Sequence, residues 1–94
     1  MTGKQRAHLR SLASTIDSIM QVGKGGINEN LIKQVDDALE ARELIKLNVL
    51  DTSPVDAREA MEQLSLATGS VGVTAIGKRF VLYRESKENK KIIL

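Results

Sequence analysis

The chain has 94 residues at 10.3 kDa, with 41% apolar and 28% charged residues. That is ordinary globular usage and enough chain for one domain, so a wholly disordered polymer is excluded. It has no cysteine and a single histidine, His8, which removes disulfide frameworks and thiolate zinc sites and makes a histidine-based metal site or catalytic triad hard to build. No apolar run approaches the roughly 20 residues of a membrane span. The polar start from Met1 to Arg10 lacks the apolar stretch of a secretory signal, so a cytoplasmic protein is expected. The net charge of +2 is unevenly placed. Residues 1–26 sum to +3, residues 27–67 to −5 and residues 68–94 to +4. An acidic middle between basic ends makes one basic face if the ends meet in space.

In chain order, Leu9, Leu12, Ala13 and Ile16 keep the spacing of one helical face, which predicts a first helix over Gly3 to Thr15 with Thr2 as its cap. Arg6 and Arg10, four apart, flank its apolar stripe on one side; Lys4 and His8 flank the other. Ser18 to Val22 reads as a short strand. After Gly23-Lys24-Gly25-Gly26 a second helix starts at Asn28, a good cap, with Ile27 placed to staple onto Ile32. Leu31, Ile32, Val35, Ala38 and Leu39 form its buried stripe; Glu29, Asp36, Asp37 and Glu40 form an acidic exterior. Leu44 to Leu50 alternates as a strand with one buried face. Ser53, Pro54 and Asp56 predict a third helix capped at Ser53 with proline in its first turn, running to Gly69. Val71–Ile76 and Phe80–Arg84 flank Gly77-Lys78-Arg79 as a hairpin. Glu85 to Lys91 reads as a polar, mobile tail, with Ile92 to Leu94 left open. Residues 1–84 are therefore expected to form the domain and residues 85–94 the tail. The order α-β-α-β-α-β-β predicts a two-layer α/β sandwich on a four-stranded mixed sheet.

Chemistry concentrates at the glycine loop. Three glycines in four positions let a ligand approach the main chain, the loop feeds a helix N-terminus, and Lys24 adds a full charge: together, a phosphate cradle. The alternative is a plain strand-to-helix turn, and local features leave both open. A nucleotide-hydrolysing loop would need Gly-Lys-Ser/Thr, whereas Ile27 and Asn28 follow here, and the dinucleotide fingerprint does not match either. Asp36, Asp37 and Glu40 read as a solvated face, Arg42 and Glu43 as structural ion pairs. Phe80 and Tyr83 are the only aromatics and should point to opposite faces, one of them into the core, so recognition by stacking on exposed rings lacks material.

Thr2 to Arg6, Leu9-Arg10 with Leu12-Ala13, Gly23 to Gly26, Asp36 through Lys46, and Ile76-Gly77-Lys78 followed by Val81 to Arg84 together resemble the CRM domain. That is the chloroplast RNA splicing and ribosome maturation module, here in its stand-alone bacterial YhbY-like form. Ser14, where many members have histidine, and Gly72 depart from the pattern. The resemblance implies a fold similar to the C-terminal domain of translation initiation factor three, RNA binding, and association with large-subunit ribosomal precursors. Its glycine loop is similar to the Gly-x-x-Gly loop that clamps nucleic-acid backbone in KH domains. The expected contacts are then Gly23, Lys24, Gly25, Gly26 and Asn28 at the loop, Lys4, Arg6 and Arg10 on the first helix, and Lys78 and Arg79 at the hairpin. No catalysis, metal, cofactor, membrane or small-molecule substrate is expected. The rival expectations are a protein-binding adapter that uses the acidic helix at Asp36 and Asp37, and a small phosphotransfer enzyme.

Overall fold

Thr2 opens α1 (Gly3–Ala13) with a reciprocal cap: its hydroxyl accepts the Gln5 N–H at 3.1 Å, and the Gln5 side chain accepts the Thr2 N–H at 3.0 Å. This computed structural model describes all 94 residues. The helix stops two residues before Thr15 because the hydroxyls of Ser14 and Thr15 donate back to the carbonyls of Ser11 and Leu12, offering the chain an alternative to continuing. Then follow β1 (Ser18–Val22), α2 (Glu29–Arg42), β2 (Leu44–Val49), α3 (Ala57–Thr68), β3 (Val71–Ile76) and β4 (Arg79–Tyr83).

The start of α3 differs from expectation. Asp56, not Ser53, is the cap, accepting the Glu59 N–H at 2.8 Å. Ser53 spends its hydroxyl within a preceding turn, where it accepts from the Val55 N–H and donates to the Val55 carbonyl. Both residues are competent caps, so the local pattern could not choose between them; Pro54 lies outside the helix and packs against Gly26.

The strand order is β1-β2-β4-β3. β1 and β2 are parallel across the α2 crossover, and β4 inserts antiparallel to both β2 and β3. On one face, α2 and α3 bury Val35, Leu39, Ala60 and Leu64 against Val22, Ile45, Leu47, Phe80 and Leu82. This is the expected sandwich, and α1 adds cover to the opposite face, packing Leu9 and Ala13 on Leu44, Val73, Val81 and Tyr83. Phe80 and Tyr83 do point to opposite faces, but both are buried, since each face has its own helix. Burial, with the charges of Glu43 and Glu85, raises the Tyr83 phenol above its ordinary value, and neither ring is free to stack on a base.

Arg6 fastens α1 to the sheet edge. Its Nη1 donates to the carbonyls of Gly72 and Val73 at 2.6 and 2.9 Å, where β3 breaks register. A Cβ on Gly72 would lie 2.8 Å from Met61 Cγ, so the glycine lets α3 close over the strand. Charge-assisted bonds of this kind contribute about 1.5–3 kcal/mol. Arg6→Ala is therefore expected to lower the melting temperature by roughly 5–15 °C in thermal unfolding followed by circular dichroism; an unchanged midpoint would show that the clasp carries no stability.

The segment after β4 is not the free tail expected from its polarity. Glu43, between α2 and β2, is fully buried. Its carboxylate accepts the backbone N–H groups of Ser86 at 2.8 Å, Ile92 at 2.7 Å, and Lys91. Glu40, one helical turn earlier, accepts from the Ser86 hydroxyl and from the N–H groups of Lys87 and Glu88. Arg84 completes the seam, its guanidinium bonding the Asp36 carboxylate and the Asp36 and Thr68 carbonyls. Of the expected solvated acidic face, Glu29, Asp36 and Asp37 are exposed, whereas Glu40 together with Glu43 docks the chain's own C-terminal segment. Glu43 is held by main-chain donors and makes no side-chain ion pair at contact distance, contrary to its expected role.

Candidate nucleic-acid interface

β1 ends at Val22, and the next four residues close a tight turn in which the Gly26 N–H donates to the Gly23 carbonyl at 2.9 Å. Lys24 and Gly25 form the tip. Gly26 has φ +62, and a Cβ there would meet Pro54 Cγ at 2.9 Å; the position needs glycine for both reasons. Asn28 then caps α2, its Oδ1 accepting the Leu31 N–H at 2.8 Å. The backbone N–H groups of Lys24, Gly25 and Ile27 have no acceptor within the chain. Lys24 is exposed and makes no ion pair. Unpaired N–H groups, a helix N-terminus and a free ammonium within one turn are the elements from which an anion site is built.

The tertiary structure brings three loops to this end of the sheet. Gly23 lies against Leu50, whose N–H donates to the Val22 carbonyl, and the Val49 N–H donates to the Lys78 carbonyl. The glycine loop, the β2–α3 connection and the hairpin turn are therefore neighbours. Register pairs Ile76 with Arg79, leaving Gly77 and Lys78 as a two-residue turn. The Lys78 ammonium pairs with Asp51, so its charge is largely balanced locally. Arg79, one residue on, makes no ion pair and lines a groove with Arg10.

The expected contact residues thus separate. Arg79 and Arg10 share a groove on the α1 face, Lys24 and Gly25 sit in the loop at the same end of the sheet as the hairpin turn, and Lys78 in that turn is already paired. Arg6 is engaged with β3. Lys4 lies elsewhere, in a hollow with Thr2, Gln5, His8 and the C-terminal Ile93 and Leu94. Lys46 was not singled out from the sequence, although its alternation with Leu44 on one side of β2 places it beside α1, in the same groove as Arg10 and Arg79. The period-2 pattern of Leu44 to Leu50 held that signal: its polar members face one way, and such a face either meets solvent or binds something.

On the acidic helix, Asp36 is bound by Arg84, Asp37 pairs with Lys33 at 3.4 Å, and Glu40 holds the C-terminal segment. Asp36 and Asp37, on which an adapter face would rest, are thus paired yet exposed, with side chains 53% and 68% accessible. No three His, Cys, Asp or Glu side chains are placed together to hold a metal ion, and no helix is long and apolar enough to cross a membrane.

The profile of the CRS1 / YhbY (CRM) domain matches residues 1–84. The chain belongs to the CRM domain family. Among similar proteins, "Probable RNA-binding protein YqeI" of Bacillus subtilis is 52% identical over 94 residues, covering 100% of this chain and 98% of the relative. "Probable RNA-binding protein MJ0652" of Methanocaldococcus jannaschii is 34% identical over 95 residues, covering 99% of this chain and 70% of the relative. The solution structure of SAV1595 from Staphylococcus aureus matches with a TM-score of 0.82 at 61% identity, covering 100% of this chain and 98% of that one. In this CRM domain the profile stops at residue 84, where the polypeptide turns back onto Glu40 and Glu43.

Proposed function

We propose that this CRM domain binds structured RNA, specifically ribosomal RNA of the large-subunit precursor, in the cytoplasm. It acts there as a non-catalytic assembly factor. The observation that carries this reading is the Gly23–Gly26 turn, whose tip offers unpaired N–H groups and an unpaired Lys24. The names of the relatives support the RNA class. A phosphodiester oxygen accepts from the Gly25 and Ile27 N–H groups while Lys24 neutralises its charge, and Arg79 and Arg10 continue the footprint along the backbone. Such contacts position the RNA and supply affinity but carry no sequence information. With both aromatics buried, specificity rests on RNA shape and on neighbouring proteins.

The test is binding of a large-subunit ribosomal RNA fragment across a salt series, for wild type and Lys24→Asp. Each lost phosphate contact makes the log–log salt slope shallower by about 0.7–0.9. The variant is expected to bind more weakly with a slope reduced by at least that much, and to melt at the wild-type temperature because Lys24 packs on nothing. Equal affinity and slope for the two proteins would reduce the loop to a plain turn.

A further inference from the structure

We propose that the groove between the C-terminal half of α1 and the open part of the sheet is a second phosphate site for the same RNA strand, with Lys46 as its central cation. The inference rests on the RNA-binding reading and extends it from Arg79 and Arg10 to Lys46 and the groove the three share.

The groove has a volume of about 290 Å³. Arg10 comes from the last turn of α1, Lys46 from the middle of β2 and Arg79 from the start of β4. No acidic residue lines it, and none of the three cations makes an ion pair, although Asp and Glu make up 12 of the 94 residues. Four of the 14 Lys and Arg residues, Lys33, Lys78, Arg84 and Lys90, have carboxylate partners at contact distance; what distinguishes the groove is that three of the unpaired cations line one hollow. Three like charges lining one groove repel one another, and an anion seated between them removes that repulsion. The floor is apolar, formed by Ala13 and Val81, each 3% exposed, and low-dielectric material on that side strengthens charge interactions above it. The Thr74 side chain at the wall carries a hydroxyl, a donor for a phosphate oxygen. Ile76 at the rim is 74% exposed, apolar surface on which a ribose or base edge can rest.

Position selects the occupant. Ile76 and Arg79 also line the neighbouring hollow with Asn48, Val49 and Leu50, and Leu50 touches Gly23. The surface is therefore continuous from the glycine loop to the groove. β1, which leads into the loop, and β4, which carries Arg79, are two strands apart, about 10 Å. That separation suits phosphates a few nucleotides apart on one backbone. A protein segment would have to match a path whose only unpaired charges are positive; a polynucleotide does so at every residue.

The experiment measures binding of the same ribosomal RNA fragment by Lys46→Gln/Arg79→Gln, with Arg58→Gln as a one-charge control on the outer side of α3. Circular dichroism confirms the fold of each variant. Two lost contacts make the salt slope shallower by about 1.4–1.8, so the wild-type-to-variant affinity ratio falls roughly tenfold between 50 and 200 mM salt. Arg58→Gln is expected to leave the slope unchanged, and Lys46→Arg to keep most of the affinity. If the double variant binds with wild-type slope while Lys24→Asp loses affinity, the groove site is overturned and the loop reading stands; the groove is then free for an acidic protein segment. A loss equal to that of Arg58→Gln also overturns it, as an effect of net charge alone. If wild type does not bind the RNA, the underlying reading fails and the groove site fails with it.

Discussion

Glu43→Ala is expected to cost about 2–3 kcal/mol, or roughly 10–20 °C in melting temperature. The carboxylate accepts three main-chain N–H groups, from Ser86, Lys91 and Ile92, inside a site closed to water. Alanine leaves those donors unpaired and opens a gap beneath the C-terminal segment. The backbone adds a second effect. Glu43 is the only non-glycine residue with positive φ, at φ 66 and ψ −45, a conformation that costs of order 1–3 kcal/mol. The chain tolerates it because this angle turns the carboxylate from the end of α2 toward the returning segment. Glu43→Gly loses the same acceptor but relieves the backbone, so it is expected to be less destabilised than Glu43→Ala by about 1 kcal/mol. Urea titration separates the two; equal losses would show that the φ angle stores no strain.

The same site predicts how stability depends on pH. Burial pushes the Glu43 carboxyl up, but the three N–H donors and the charge of Lys90 outweigh it and hold it below the ordinary glutamate value. The Ser86 hydroxyl and the Lys87 and Glu88 N–H groups hold Glu40 down as well. Both groups have folded values below their unfolded ones. Their contribution is therefore complete above the ordinary glutamate range and is lost as pH falls through the depressed values. Melting temperature is expected to stay level from pH 7 to about 5 and to fall below about 4.5. In Glu40→Gln/Glu43→Gln that acid-side fall is expected to flatten; an unchanged fall would place acid sensitivity elsewhere.

Gly26→Ala is the second large effect, and it couples stability to the loop. The left-handed backbone alone makes alanine cost about 1–2 kcal/mol, and its Cβ falls 2.9 Å from Pro54 Cγ, so the ring or the loop must also move. The Gly26 N–H closes the turn onto Gly23, and shifting it misdirects the N–H groups of Gly25 and Ile27. RNA affinity is then expected to fall even though no charge has changed. Pairing the substitution with Pro54→Ala removes the obstructing ring. The double variant should recover the steric share, a coupling of about 1 kcal/mol, while the share due to φ persists. Strict additivity in urea unfolding would show that the two residues do not press on each other.

Much of this was legible in the sequence because local chemistry determines it. Thr2 with Gln5, and Asn28 before its apolar stripe, are cap patterns with one reading each, and both helices start where they predict. Gly69 ends α3 in the left-handed conformation its residue type anticipates. The alternation of β2 and the order of elements were enough for the class of fold, and the spacing of the motifs was enough for the family. Ser53 and Asp56 show the limit: two competent caps three residues apart differ only in what the rest of the molecule does with Ser53.

Other properties were decided only by the tertiary structure. Composition makes residues 85–94 a polar tail and Asp36 to Glu43 an acidic exterior, and each description is correct by itself. Neither shows that the carboxylates of one bond the main-chain N–H groups of the other, because backbone donors leave no trace in residue type. Arg6 and Arg10 are equivalent by helical spacing, yet Arg6 reaches two carbonyls where β3 breaks register and Arg10 reaches none. Lys46 and Arg79 stand 33 positions apart and become neighbours because β4 inserts beside β2. Residue type and spacing thus determined the helices, the strands and the glycine loop between β1 and α2. Strand pairing and helix packing decided which cations remain unpaired beside it, since charge is neutralised through space and not along the chain.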